Sequence, residues 1–315
     1  MTTRHATAIA IVFAALVSAA PASAQSTMGA FCGIKNRHPR QYAHVVWIWM
    51  ENHSYGQIVG SPDAPYINGL IGACGLATNF HNITHVSLPN YIGAVTGLPL
   101  EDLLKFRFDC SPSATCSTDA PSIFSQVPSW KAYMESMTTN CQPTGFFGYA
   151  VRHNPPPYLT SLAATCPTLD VPYTDLQADL DNDTLPAFSF ITPNSVNDMH
   201  DGADPVAIQN GDNWLAAELP KILNSAAYQS GTTAIFITFD EGEGAMFGED
   251  CAANLGDESC HIATIVISPS TPAGITSSRL FTHYSLLKTT EQLLGIPRYL
   301  GLARRARSLR RPFGL

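Results

Sequence analysis

The chain reads as an α/β protein: helices layered on a mostly parallel central sheet. Short, almost wholly apolar runs rich in β-branched residues predict strands buried on both faces, as in a parallel sheet. Segments with helical periodicity lie between them, and that alternation predicts the layered class. Two of the apolar runs close on acidic or amide side chains, which places polar chemistry at the carboxyl edge of the sheet, where such folds bind ligands.

In order along the chain, residues 1–24 combine a basic start at Arg4 and His5, a roughly ten-residue apolar run and Ala22-Ser23-Ala24. They read as a secretory signal peptide cleaved after Ala24, because the apolar run is short for a membrane span. Residues 25–303 read as one domain, with no Gly/Ser-rich or Pro-rich linker and no repeat inside it. "AHVVWIWMEN" (43–52) is the first buried strand. "ITHVSLPNYIGAVTG" (83–97) passes from an extended entry into a helix, with Pro89 suited to its first turn. "AFSFITPN" (187–194), "TAIFITFDEGEG" (233–244) and "ATIVISPS" (263–270) are further strands. "GDNWLAAELPKILNSAAY" (211–228) predicts a helix with Asp212 as N-cap and a kink at Pro220. "THYSLLKTTEQLLGIP" (282–297) predicts a helix that stops at Gly295. Residues 304–315 form a basic tail with Arg304, Arg305, Arg307, Arg310 and Arg311. The simpler expectation is a solvated, frayed terminus. The sharper one is peripheral contact with anionic membrane lipids.

A formal net charge of −8 argues against a general nucleic-acid surface. All eight cysteines follow the leader, an even number that suits disulfides in an exported chain. Short loops favour Cys110–Cys116 and Cys251–Cys260, which leaves Cys141–Cys166 and Cys32–Cys74 as the longer pairs.

The chemistry gathers at four places. Asp240 and Glu241 are adjacent carboxylates that repel one another and resist desolvation. A divalent cation offsets both effects, and Glu51 and Asn52 add oxygen donors suited to a hard ion. Ser87 sits near a predicted helix N-terminus, where free N–H groups favour an anion such as phosphate, although a serine there is also an ordinary N-cap. His85, two residues earlier, points the same way as Ser87 if the stretch is extended. "TPNSVNDMHDG" (192–202) sets His200 among Asn197, Asp198 and Asp201, and "VRHNPPPY" (151–158) holds His153 before a rigid proline run. The nucleophile elbow G-x-S-x-G does not occur.

In sequence order, "MENHSYGQIVG", "THVSLPNYIGAVTG", "NDMHDG", "FDEGEG" and "THYSLLKTTEQLLGIP" resemble the bacterial phosphoesterase family of secreted acid phosphatases and phospholipases C. Within it the chain looks most like the short secreted acid phosphatases of the mycobacterial type. The resemblance runs from about Ala43 to Ala303. It implies an alkaline-phosphatase-like three-layer α/β sandwich and a serine nucleophile that forms a phosphoserine beside one divalent metal ion. Carried over motif by motif, it implies that Glu51, Asn52, Asp240 and Glu241 hold the ion together with Ser87. It implies Ser87 as the nucleophile, with His85, His153 and His200 around the phosphoryl group and His283 as a weaker candidate. The long insertions and C-terminal modules of the larger phospholipases C are absent from this sequence.

The expectation is therefore a secreted, metal-dependent hydrolase of phosphate monoesters that acts on a phosphorylated small molecule or lipid, phosphoinositides included. A phospholipase C acting on diesters and a non-catalytic secreted binding protein of the same fold stay open as alternatives.

Overall fold

The computed structural model describes residues 1–2, 31–244 and 248–315. The expected leader and its cleavage point after Ala24 lie outside the described residues, apart from the first two. Among the described residues nine strands form one sheet: β1 (His44–Met50), β2 (Gly75–His81), β3 (Trp130–Met134), β4 (Asp170–Pro172), β5 (Phe188–Thr192), β6 (Thr233–Phe239), β7 (His261–Ile267), β8 (Ile275–Ser277) and β9 (Phe281–Thr282). The order is β4-β3-β5-β1-β6-β7-β2-β8, with β9 also paired to β2. β7 runs antiparallel to β6 and β2, and the other pairings are parallel. The expected strands at 43–52, 187–194, 233–244 and 263–270 are β1, β5, β6 and β7.

Four longer helices frame the sheet: α1 (Pro65–Ala73), α2 (Ser87–Thr96), α3 (Val206–Leu223) and α4 (His283–Leu293). Successive side chains of a strand point to opposite faces, and β1 shows which helices cover which face. Trp47 donates to Thr290 of α4 at 2.9 Å, and Trp49 packs on Tyr91 of α2 and His283 of α4. Met50 faces the other way, toward Gly211 of α3, where a Cβ would collide with Met199 and Met50. The sheet is thus covered on both sides, a three-layer α/β sandwich, which is why β1 is apolar at nearly every position.

Three local expectations need correction. Asp212 is not the N-cap of its own helix, because α3 begins six residues earlier. Its carboxylate instead accepts from the N–H groups of Tyr66 (3.0 Å) and Ile67 (2.8 Å) in the first turn of α1, two donors that the helix cannot satisfy itself. Pro220 lies inside α3, and the expected helix to residue 228 divides into α3 and a separate turn, Ala226–Gln229. The basic tail is not frayed either: Leu309, Phe313 and Leu315 are buried, and Arg310 donates to the carbonyls of Arg40 and Leu315. Three apolar side chains anchor the segment against entropy, so its charge density was a poor guide to its order. Arg40 precedes β1, so the tail packs at the end of the sheet opposite the carboxyl edge.

The disulfides are Cys32–Cys74, Cys110–Cys116, Cys141–Cys166 and Cys251–Cys260, the expected pairing. Among the described residues no helix is long and apolar enough to cross a membrane.

Candidate active site

Three neighbouring strands deliver the acids. Beyond β1 the backbone ladder continues on both sides: Glu51 N–H donates to Asp198 O at 2.7 Å, and Asp240 N–H donates to Met50 O at 3.0 Å. Asp198, Glu51 and Asp240 therefore stand side by side at the carboxyl edge, after β5, β1 and β6. All three are 0 % exposed and Glu241 is 6 % exposed, a concentration of buried carboxylate that needs compensating charge.

α2 supplies the hydroxyls. Ser87 is its first residue and makes no side-chain cap. The Ser87 hydroxyl donates to Glu51 Oε2 at 3.1 Å, and the Tyr91 hydroxyl, one turn on and on the same face, donates to Glu51 Oε1. Capping falls to Asp109, whose carboxylate accepts from Leu88 N–H at 2.9 Å. Asn90 fixes the approach to the serine. Its Oδ1 accepts from Ile83 and Thr84 N–H, and its Nδ2 donates to Thr84 O and Val86 O. The asparagine of Ser-Leu-Pro-Asn thereby ties segment 83–86 to the helix.

The histidines divide by environment. His153 is buried between Asp198 Oδ2 and Glu51 Oε1, 3.1 Å from each. His85 does not face the serine: its Nδ1 meets Glu241 Oε2 at 2.7 Å, and its Nε2 lies 3.2 Å from Ser259 Oγ. Ser259 in turn donates to Asp257, so His85 orients Glu241. His200 is partly exposed. Its Nε2 accepts from Arg152 at 3.0 Å, which leaves Nδ1–H to donate to Asp201 at 2.9 Å. His283 donates from Nε2 to the Asp240 carbonyl at 2.7 Å and packs against Trp49 and Phe80, supporting the strand end from the core. Asn52 contributes its backbone N–H, 3.2 Å from Asp240 Oδ1.

The electrostatics follow from this crowding. Burial pushes Glu51 well above the usual carboxylate range, with Asp240 and Asp198 adding repulsion. Burial also raises Asp240, with Glu241 adding to it, and raises Asp198 and Glu241. Burial holds His153 well below the ordinary histidine range, helped by Arg152 and His200, and lowers His85 to about 4. His153 makes one hydrogen bond, from Nδ1 to Asp198, and its Nε2, 3.1 Å from Glu51 Oε1, is buried without a hydrogen-bond partner. Asp240 Oδ2 is buried without a hydrogen-bond partner, and Glu51, His153 and Asp198 each bring a ligand atom within 4.8 Å of the others. Oxygen-rich donors and an orphaned carboxylate oxygen fit a divalent cation.

Beside these groups lies a cavity of about 310 Å³ whose lining includes Asp109, Gly148, Tyr149, Arg152, Ser195 and Asp201. Of the groups singled out in the sequence, the structure brings Glu51, Ser87, Asp240, Glu241 and His153 to one point. His200 stands at the rim, and His85 and His283 stand behind. Tyr91, Asp109 and Arg152 join the site without a motif of their own, and Asp198 joins it from a segment of ordinary turn residues. Tyr91 alone carried a signal: it stands four residues after Ser87 on a predicted helix.

Comparison with known proteins places the chain in a family. Residues 61–297 match the model of the Phosphoesterase family. A phosphatidylinositol-3-phosphatase of Mycobacterium tuberculosis is 28% identical over 265 residues, covering 82% of this chain and 78% of that protein. An acid phosphatase of Aspergillus fumigatus is 26% identical over 290 residues, covering 87% of this chain but 60% of its own longer one. Among solved structures, an alkaline phosphatase superfamily protein from Vibrio parahaemolyticus superposes with a TM-score of 0.54 at 14% identity, covering 85% of this chain and 71% of that one. Murine ectonucleotide pyrophosphatase/phosphodiesterase 5 superposes with a TM-score of 0.55 at 11% identity, covering 83% and 97%. These structural matches establish an alkaline-phosphatase-like fold, and with the matched model spanning well over half its length, the chain belongs to the Phosphoesterase family.

Proposed function

We propose that this protein is a secreted, metal-dependent phosphate monoester hydrolase that works through a phosphoserine at Ser87. The observation that carries the reading is the Ser87 hydroxyl at the first turn of α2, donating to a buried Glu51 beside the orphaned oxygen of Asp240. The family and relatives named as acid phosphatases support a hydrolase of phosphate esters. Four disulfides support an oxidising compartment, hence export.

Ser87 Oγ attacks phosphorus in line with the leaving oxygen. Its proton passes along the hydrogen bond to Glu51 Oε2. The Arg152 guanidinium and the positive end of α2 stabilise the phosphoryl oxygens. The P–O bond to the leaving group breaks, and that oxygen takes up a proton from solvent. Water then attacks the phosphoserine and releases one proton to solvent, the Oγ–P bond breaks, and Ser87 takes its hydrogen back from Glu51. A divalent cation held by Glu51, Asn52, Asp240 and Glu241 beside Ser87, with Asp198 and His153 in reach, would lower the serine pKa and offset phosphoryl charge.

The test compares p-nitrophenyl phosphate, p-nitrophenyl acetate and phosphatidylcholine before and after chelation. The proposal expects turnover of the first alone, lost on chelation and restored by a divalent ion. Acetate hydrolysis that survives chelation, or phosphatidylcholine as the preferred substrate, contradicts it.

A further inference from the structure

Exposed apolar side chains flank residues that line the cavity holding Arg152 and Asp109. Phe147 is 88 % exposed, Phe108 67 %, Phe146 55 % and Val196 45 %. Each flanks a lining residue: Phe108 precedes Asp109, Val196 follows Ser195, and Phe146 and Phe147 sit between Gly145 and Gly148. Phe146 and Tyr149 exchange both backbone hydrogen bonds, which makes Phe147 and Gly148 the two central residues of a hairpin turn. Both have positive φ, 34° and 81°. That is the pattern of a type I′ turn, whose first position takes Asn or Gly at least cost. A bulky aromatic there is disfavoured by backbone conformation and by solvation alike, so local folding does not account for it. Exposed Lys105 and Arg107 stand beside Phe108, with the Arg107 guanidinium 4.7 Å from its ring centre.

We propose that this rim docks onto a lipid bilayer, with Phe146 and Phe147 entering the acyl boundary and the cavity receiving the phosphorylated headgroup of a lipid in the same membrane. The inference rests on the phosphatase reading and extends it to a substrate class. A polar cavity that holds Arg152 and is flanked by exposed aromatics matches an amphiphile, whose polar end needs the pocket while its apolar end needs the rim. Lys105 and Arg107 complement anionic headgroups, although the whole chain carries −8. A protein partner fits less well. An aromatic side chain covers about 150–250 Å² in full, so this tip falls short of the roughly 800 Å² per partner of a stable interface. The surface differs from the Arg-rich tail, which packs at the opposite end of the sheet.

The test uses the full-length protein and the double variant Phe146→Ser with Phe147→Asn. Two readouts are sedimentation with vesicles of phosphatidylcholine and phosphatidylserine, and hydrolysis of phosphatidic acid in such vesicles. The third is hydrolysis of soluble p-nitrophenyl phosphate. Wild type should sediment with vesicles, and the variant should bind at least about tenfold more weakly. The variant's vesicle-bound turnover should fall in parallel while its soluble activity and melting temperature hold, since Asn suits the turn. Phe147→Trp should bind at least as well and shift its emission to the blue on vesicles. The proposal is overturned if wild type stays in the supernatant, if the double variant binds equally, or if the variant changes oligomeric state rather than vesicle binding. Loss of soluble turnover in wild type would instead fail the phosphatase reading.

Discussion

Ser87 and Asp170 show how burial decides what a side chain does. Ser87 makes no cap, so its removal should cost the fold less than the ~1 kcal/mol typical of a lost N-cap. Ser87→Ala should nevertheless lower kcat more than about 10⁴-fold on p-nitrophenyl phosphate, and a variant that melts earlier but keeps turnover would mark a structural serine. Asp170 lies away from the reacting groups, next to Asn154, which donates to its Oδ2 at 2.8 Å, while its Oδ1 is buried without a partner. Burial raises its carboxyl from 3.8 to about 8. The folded state therefore holds this proton more tightly than the unfolded chain. Its contribution is full below pH 3.8 and is lost as pH rises through about 8. Asp170→Asn should flatten that decline and raise the melting temperature at alkaline pH, with little change in acid. A parallel decline in the variant would assign the slope to other groups.

Among the elements, the strand ends and the first turns of helices do the positioning. Asp212 lies in α3 but caps α1, so Asp212→Ala should cost about 0.5–2 kcal/mol in urea denaturation; no change would deny the cap. His85 acts through Glu241, and His85→Gln should weaken divalent-cation affinity about 10–100-fold by calorimetric titration, with saturating cation restoring turnover. Unchanged affinity would make it a packing residue. Strands β1 and β6 and their closing acids were legible because a polar pair ending an apolar run breaks the burial pattern. Asp198 was not, since Asn and Asp are ordinary in turns, and only the register of β5 beside β1 gives it a place next to Glu51. The direction of His85 was not legible for a related reason. Alternation along an extended stretch predicts a shared face with Ser87, but Glu241 and Ser259, far along the chain, draw its ring away.

At the scale of the whole molecule, both covered faces of the sheet and the packed tail make one body with its chemistry at one edge. Deleting residues 305–315 removes the buried Leu309, Phe313 and Leu315 and should cost at least about 3 kcal/mol of stability, a clear loss in the denaturation midpoint. The layered class could be read from alternating buried strands and helices, and the disulfide pairing from loop lengths. Arg152 and Asp109 could not, because each belongs to the site through packing between distant loops. What the fold achieves is a serine hydroxyl held against buried carboxylates at a helix N-terminus, an arrangement suited to two successive displacements at phosphorus. The measurement that tests this most directly is the stereochemical course of monoester hydrolysis, with a substrate chiral at phosphorus through oxygen isotopes. Transfer to Ser87 and then to water inverts the centre twice, so the mechanism predicts overall retention. Net inversion would mean that water attacks the substrate directly and that no phosphoserine forms.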